Sequence, residues 1–157
     1  MKAMMTLASM GLLLVLLASP AQAEILFNDS MDINMEVFVP CANGGAGEVV
    51  ELSGPLHTLI TFTFNGNEVS GTTHFQPQGI SGIGLSTGDK YQGVGLTQDH
   101  FAGSLQNAQF SYTFVNNFRI VGQGPGNNFT LHETFHLTFS ASGAITSIHD
   151  NFSADCK

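Results

Sequence analysis

Apolar positions in this chain recur with a period of two. Between residues 129 and 139, Phe129, Leu131, Phe135, Leu137 and Phe139 fall on one side, and Thr130, His132, Thr134, His136 and Thr138 on the other. Successive side chains of a strand point to opposite faces, so this alternation describes a strand with one apolar and one polar face. Comparable short runs follow one another, separated by Gly, Asn and Pro, and no segment with helical length and period follows Ala23. The pattern predicts an all-β fold, a single antiparallel β-barrel or sandwich of about eight or nine strands mostly joined to their sequence neighbours.

Two hairpins can be placed. The first spans Leu56 to Phe75 with Asn65-Gly66 as a two-residue turn, because that dipeptide tolerates positive φ at both positions. Counting outward pairs Phe62 with Val69, Ile60 with Gly71, Leu56 with Phe75 and His57 with His74. The second spans Phe129 to Phe152. With Ser142-Gly143 as the turn, Leu137 meets Ile148, Glu133 meets Phe152, Thr134 meets Asn151 and His136 meets His149. A three-residue loop would move that register, and a one-residue slip flips every side chain to the other face. Between the hairpins lie a glycine-rich, weakly patterned stretch, 79–97, and a stretch with clearer strand character, 101–121. Residues 43–47 and 122–128 read as loops.

The first 23 residues follow a different pattern. Met1-Lys2 is basic, Met10–Leu17 is a short apolar run, and Ser19-Pro20-Ala21-Gln22-Ala23 ends in small-x-small order. This is the layout of a secretory signal peptide, here a helix cleaved after Ala23, with residues 24–157 forming one domain. The apolar run is too short for a bilayer, which needs about 20 residues. The expected location is secreted or periplasmic, with no membrane span after cleavage. The brevity of the signal suggests a bacterial source, in which Asn28-Asp29-Ser30, Asn128-Phe129-Thr130 and Asn151-Phe152-Ser153 are idle as glycosylation sequons.

Export makes a disulfide the expected fate of Cys41 and Cys156, the two cysteines of the chain. Charge narrows the partners. After cleavage three cations, Lys90, Arg119 and Lys157, face 12 acidic residues. A phosphate-binding surface needs clustered Lys and Arg, so nucleic acid is excluded and anionic membrane surfaces are disfavoured.

Two motifs promise chemistry that their context denies. His132-Glu133-Thr134-Phe135-His136 matches the zinc-protease pattern, which needs a helix to bring both histidines to one metal. On a strand, residues four apart are separated by roughly 13 Å, and Glu133 points away from both histidines. Gly84-Leu85-Ser86-Thr87-Gly88 matches a nucleophile elbow, but lies in glycine-rich β structure and reads as a turn between strands.

The remaining candidates are weaker. His57 with His74, and His136 with His149, form two cross-strand pairs that could chelate a divalent metal if a third ligand approached; the plainer reading is solvent-facing His on a polar sheet face. His100, beside Asp99, reads as a turn residue. Arg119 sits in an apolar stretch, with Glu133 on the next strand as its candidate partner, either in an ion pair that sets register or as a grip on a ligand.

Three functions are compatible with these features. The preferred one is a non-catalytic exported domain, needing no cofactor, that binds a small apolar ligand or another exported protein. Phe62, Phe135, Leu137 and Phe139 would then be its wall or core. The alternative is a small β-barrel enzyme, an isomerase or metal-dependent hydrolase, using the His pairs with Arg119 or Glu133 in a concave pocket. An outer-membrane barrel is disfavoured, because aromatic girdles are thin, with no Trp and only Tyr91 and Tyr112 as tyrosines.

Overall fold

The computed structural model describes residues 22–124 and 126–157. The expected signal-peptide helix lies outside these residues. Eight strands make one antiparallel sheet: β1 Gln22–Val39, β2 Glu48–Asn65, β3 Glu68–Pro77, β4 Ser81–Gly84, β5 Lys90–Ser104, β6 Gln109–Gly122, β7 Phe129–Phe139 and β8 Ile145–Cys156. Cleavage after Ala23 would remove only the first two residues of β1. A single 3-10 turn, Asn43–Gly45, is the one helical feature among the described residues, and none of their helices is long and apolar enough to cross a membrane.

The topology is a meander. β3 and β4 lie end to end between β2 and β5, so each strand pairs with its sequence neighbour apart from this one interruption. At the break, Gln78-Gly79-Ile80 leaves the ladder and Ile80 turns inward, to 1% exposure. Gly54, on β2 opposite the break, has φ +139°, and an added Cβ would lie 3.1 Å from the Gly79 carbonyl oxygen and the Ile80 Cα. Glycine is required there because the two backbones meet. Among the described residues β1 and β8 are the sheet edges and do not pair with each other.

The sheet is curved. Side chains from β1, β2, β5, β6 and β7 meet, with Ala42 and Ile80 from the connections, in one buried cluster, Val39, Ala42, Val50, Leu52, Ile80, Tyr91, Ile120 and Phe129. All of it lies at one end of the sheet, where β1, β4, β6 and β8 finish and β2, β5 and β7 begin. Each fully buried aliphatic side chain there contributes about 2 kcal/mol of hydrophobic stabilisation. The Cys41–Cys156 disulfide (Cα–Cα 5.7 Å) seals the same end, joining the loop after β1 to the last residue of β8.

The register separates the two faces cleanly. Twelve of the 13 phenylalanines face the concave side; Phe38 is the exception. All six histidines face the convex side. With β structure and period two, the face of each side chain follows from the pairing alone.

One hairpin is corrected and the other is as expected. In the β2–β3 hairpin Asn65 pairs with Glu68, so the turn residues are Gly66-Asn67 and not Asn65-Gly66. Gly66 has φ +62° while Asn67 is not at positive φ, which suits glycine as the first residue of a II′-like turn. Every pair moves by two: Phe62 faces Gly71, Phe64 faces Val69, His57 faces Gln76 and His74 faces Leu59. The two-residue step preserves the faces but undoes the His57–His74 pair. In the β7–β8 hairpin, Leu137–Ile148, Glu133–Phe152, Thr134–Asn151 and His136–His149 are all opposite one another. This register survives a three-residue loop, closed by Ser140 N–H donating to the Ala144 carbonyl (2.9 Å), because a bulge between Thr138 and Phe139 restores the missing residue.

Candidate functional site

The concave face holds an apolar cavity of about 350 Å³. Its walls come from six strands, with Ile33, Met35 and Val37 on β1, Leu56 on β2, Phe75 on β3 and Phe118 on β6 among them. Leu131 on β7 completes the wall opposite β1, which places the cavity in the bend of the sheet. Its floor is the buried cluster, reached through Ile80. Its polar members are Thr97 and Asn116. They are bonded to each other, Thr97 Oγ1 donating to Asn116 Oδ1 (2.9 Å), and the same oxygen accepts from the Phe118 N–H (3.1 Å). The Asn116 carbonyl is therefore occupied by the protein, and the cavity offers mainly hydrocarbon and ring surface.

Away from the disulfide end the concave face opens. Phe62, Phe101, Phe114, Phe135, Leu137 and Phe139 are only half-buried, and Phe64 and Phe152 are 53% and 57% exposed. Phe101 and Phe110 stack with centroids 5.3 Å apart, and Phe62 and Phe64 stack at 6.4 Å. Phe62 also covers Gly71, whose added Cβ would lie 3.1 Å from the ring. The four residues expected as wall or core all lie half-buried on this open part of the concave face, a trough that continues from the cavity, and none of them lines the cavity itself. Tyr112, in the same region, has its hydroxyl pKa raised by burial and by the charge of Asp99.

The disulfide end holds a second feature that the sequence reading did not single out. Glu48 is 2% exposed. Its carboxylate accepts from the Tyr91 hydroxyl (2.6 Å), from the Thr87 backbone N–H (3.1 Å) and from Thr87 Oγ1 (3.0 Å). Burial pushes the Glu48 carboxyl pKa up, but the hydrogen bonds from Tyr91, Thr87 and the Ser86 backbone outweigh it and hold the group below its ordinary value. Burial, then the bond and charge of Glu48, push Tyr91 well above its ordinary range, so it stays a donor. The Thr87 donors come from the Gly84–Gly88 segment, which is the turn between β4 and β5 that was expected and serves to hold a carboxylate, while Tyr91 reaches it from β5. Gly84 leaves the room this needs, since a Cβ there would run into the held Glu48 carboxylate. Beside this group Asn127, 3% exposed, donates to Asp89 Oδ2 (2.8 Å) and to the Gln123 carbonyl (2.6 Å), tying the β6–β7 loop to the β4–β5 loop. Among the described residues no buried side-chain polar atom is left without a partner, so the cluster reads as a latch between loops.

The other candidates fall on the convex face or apart from one another. His136 faces His149, and its Nδ1 is 2.8 Å from Thr113 Oγ1. His57 bonds Asn28 Oδ1 through Nε2 (2.8 Å) and is not opposite His74. His100, expected in a turn, is inside β5 and faces Thr113. None of the six histidines lines the cavity, which the enzyme reading requires of at least one pair. Among the described residues no group of three or more His, Cys, Asp or Glu side chains is placed to hold a metal ion. Arg119 is exposed on the convex face, whereas Glu133 is on the concave face, so the expected partnership fails. Alternation in Tyr112, Phe114, Phe118 and Ile120 already put Arg119 on the opposite side from the apolar positions around it. The same alternation was the available signal for the trough wall. No family model, curated protein or solved structure matches this chain.

Proposed function

We propose that this protein is an exported, non-catalytic carrier or receptor whose trough takes up a small apolar ligand. The supporting observation is the 350 Å³ apolar cavity that continues, without a change of face, into half-exposed aromatic rings. Its volume lies in the range of small-ligand pockets, which are roughly 300–1,000 Å³, largely apolar and furnished with few polar groups. At about 30 Å³ for each water-sized group it has room for roughly a dozen. Apolar rings left half in water have hydrophobic free energy still to gain, and a ligand lying along them would supply it.

A neutral apolar fluorophore that brightens out of water provides the test. It should bind with one-to-one stoichiometry. Met35→Trp, which fills the cavity from an edge strand, should weaken binding at least about tenfold while leaving the circular-dichroism spectrum unchanged. Equal binding to the wild type and to Met35→Trp would refute the assignment of this cavity as the site.

A further inference from the structure

Resting on that reading, we infer that the trough selects an amphiphile with a cationic head and discriminates against an anionic one. The sign of charge on the two faces carries the inference. By register, the Asp, Glu, Lys, Arg and His side chains on the concave face are, among the described residues, all acidic: Glu24, Asp29, Glu48, Asp99, Glu133 and Asp150. Lys90 and Arg119 project from the convex face, and Lys157 lies beyond the last strand. Glu48 is already satisfied by Tyr91 and Thr87. Among the described residues no hydrogen bond reaches the carboxylates of Asp99, Glu133 or Asp150.

Their positions connect them to the cavity. Asp99, Phe114, Phe135 and Asp150 form one row across β5, β6, β7 and β8. Thr97, Asn116, Glu133 and Phe152 form the adjacent row, of which Thr97 and Asn116 line the cavity. Directly opposite side chains have Cβ atoms about 5 Å apart and diagonal ones about 7–8 Å apart. An apolar tail inserted in the cavity therefore brings its head group to Glu133 first and to the Asp99–Asp150 row next. Glu133 has Phe152 opposite it, Phe135 two residues on along β7, and Phe114 diagonal to it on β6. A quaternary or primary ammonium there meets carboxylates and ring faces together, and each attracts it. A carboxylate or phosphate head would be brought out of water beside like charges, with no cation among the described residues of the trough to offset them.

Displacement of the neutral fluorophore by three amphiphiles with the same decyl tail, each below its micelle concentration, tests this. Decyltrimethylammonium should displace at a concentration about tenfold lower than decyl maltoside, and decanoate should be the weakest. Glu133→Gln, nearly isosteric, should remove most of the cation preference without changing the maltoside value; Asp99→Asn should act in the same direction. Paired Glu51→Gln and Glu68→Gln changes on the convex face should leave the preference intact. Displacement by the maltoside at equal or lower concentration than by the ammonium would overturn the inference while leaving the trough reading standing. So would an equal loss in the convex-face variant, since attraction to the whole acidic protein would then account for the preference. Failure of the fluorophore to bind at all would remove both readings.

Discussion

The two ends of the sheet are built from the same alternating strands and differ in what happens to the apolar face. At the disulfide end the strands converge, and Leu52, Val50, Val39 and Ile120 are fully buried. A charged group, Glu48, is buried with them and satisfied by donors from the β4–β5 turn and from Tyr91 on β5. At the far end, where β1 and β3 begin and the β5–β6 turn lies, phenylalanine rings on the same face remain half in water. Convergence there would need β1 and β8 to meet, and these edges do not pair among the described residues. Stability is thus concentrated at one end, and unsatisfied apolar surface at the other. A binding site requires the second, and the first makes it tolerable.

Four measurements would break or sharpen this contrast. The largest effect belongs to the disulfide, which closes 115 residues of sequence separation. Replacing Cys41 and Cys156 by Ser should cost about 4 kcal/mol in a urea titration, if restriction of the unfolded chain dominates. The Glu48 latch comes next. Glu48→Ala strands the Tyr91 hydroxyl and the Thr87 N–H, and should cost about 3 kcal/mol. Because the folded carboxyl pKa is lowered from 4.5, its contribution is full above that value and is lost as pH falls through the lower folded pKa. Tyr91 acts oppositely: its raised folded pKa gives stability that is full below pH 10 and declines above it. Urea midpoints measured from acid to alkaline pH should therefore fall at both extremes in the wild type. The acid decline should be shallower in Glu48→Gln.

A direct comparison of the ends follows. Leu52→Ala at the packed end should cost about 3 kcal/mol, and Phe135→Ala at the open end about 1 kcal/mol, although the second removes more atoms. Equal costs would mean that the open end is covered in solution. The smallest effect is expected on the convex face, where replacing His136 and His149 together by Ala should shift stability by less than about 0.5 kcal/mol and leave fluorophore binding unchanged.

How far the sequence could be read depended on whether a feature was local. Period two in 129–139 placed each β7 side chain on its correct face and set the register with β8, because loop length and bulge compensated. The Gly66 turn was misplaced by one residue, since Asn-Gly and Gly-Asn both suit tight turns and the choice between them depends on the strands they join. Arg119 and Glu133 were wrongly partnered because adjacency of strands was considered without their faces.

The sequence by itself therefore determined strand content, the sidedness of each alternating segment and the closing cysteines, all of which follow from backbone geometry and from residue type. Only the tertiary structure decided the rest. Curvature brings Ile33 and Leu131 to one cavity although they lie at opposite sides of the sheet. The break at residues 78–80 sends Ile80 inward, and the β4–β5 turn folds over Glu48 at the start of the neighbouring β2. These depend on how far a long sheet coils and on which loops then meet, a sum of small twists and close approaches that no local pattern encodes.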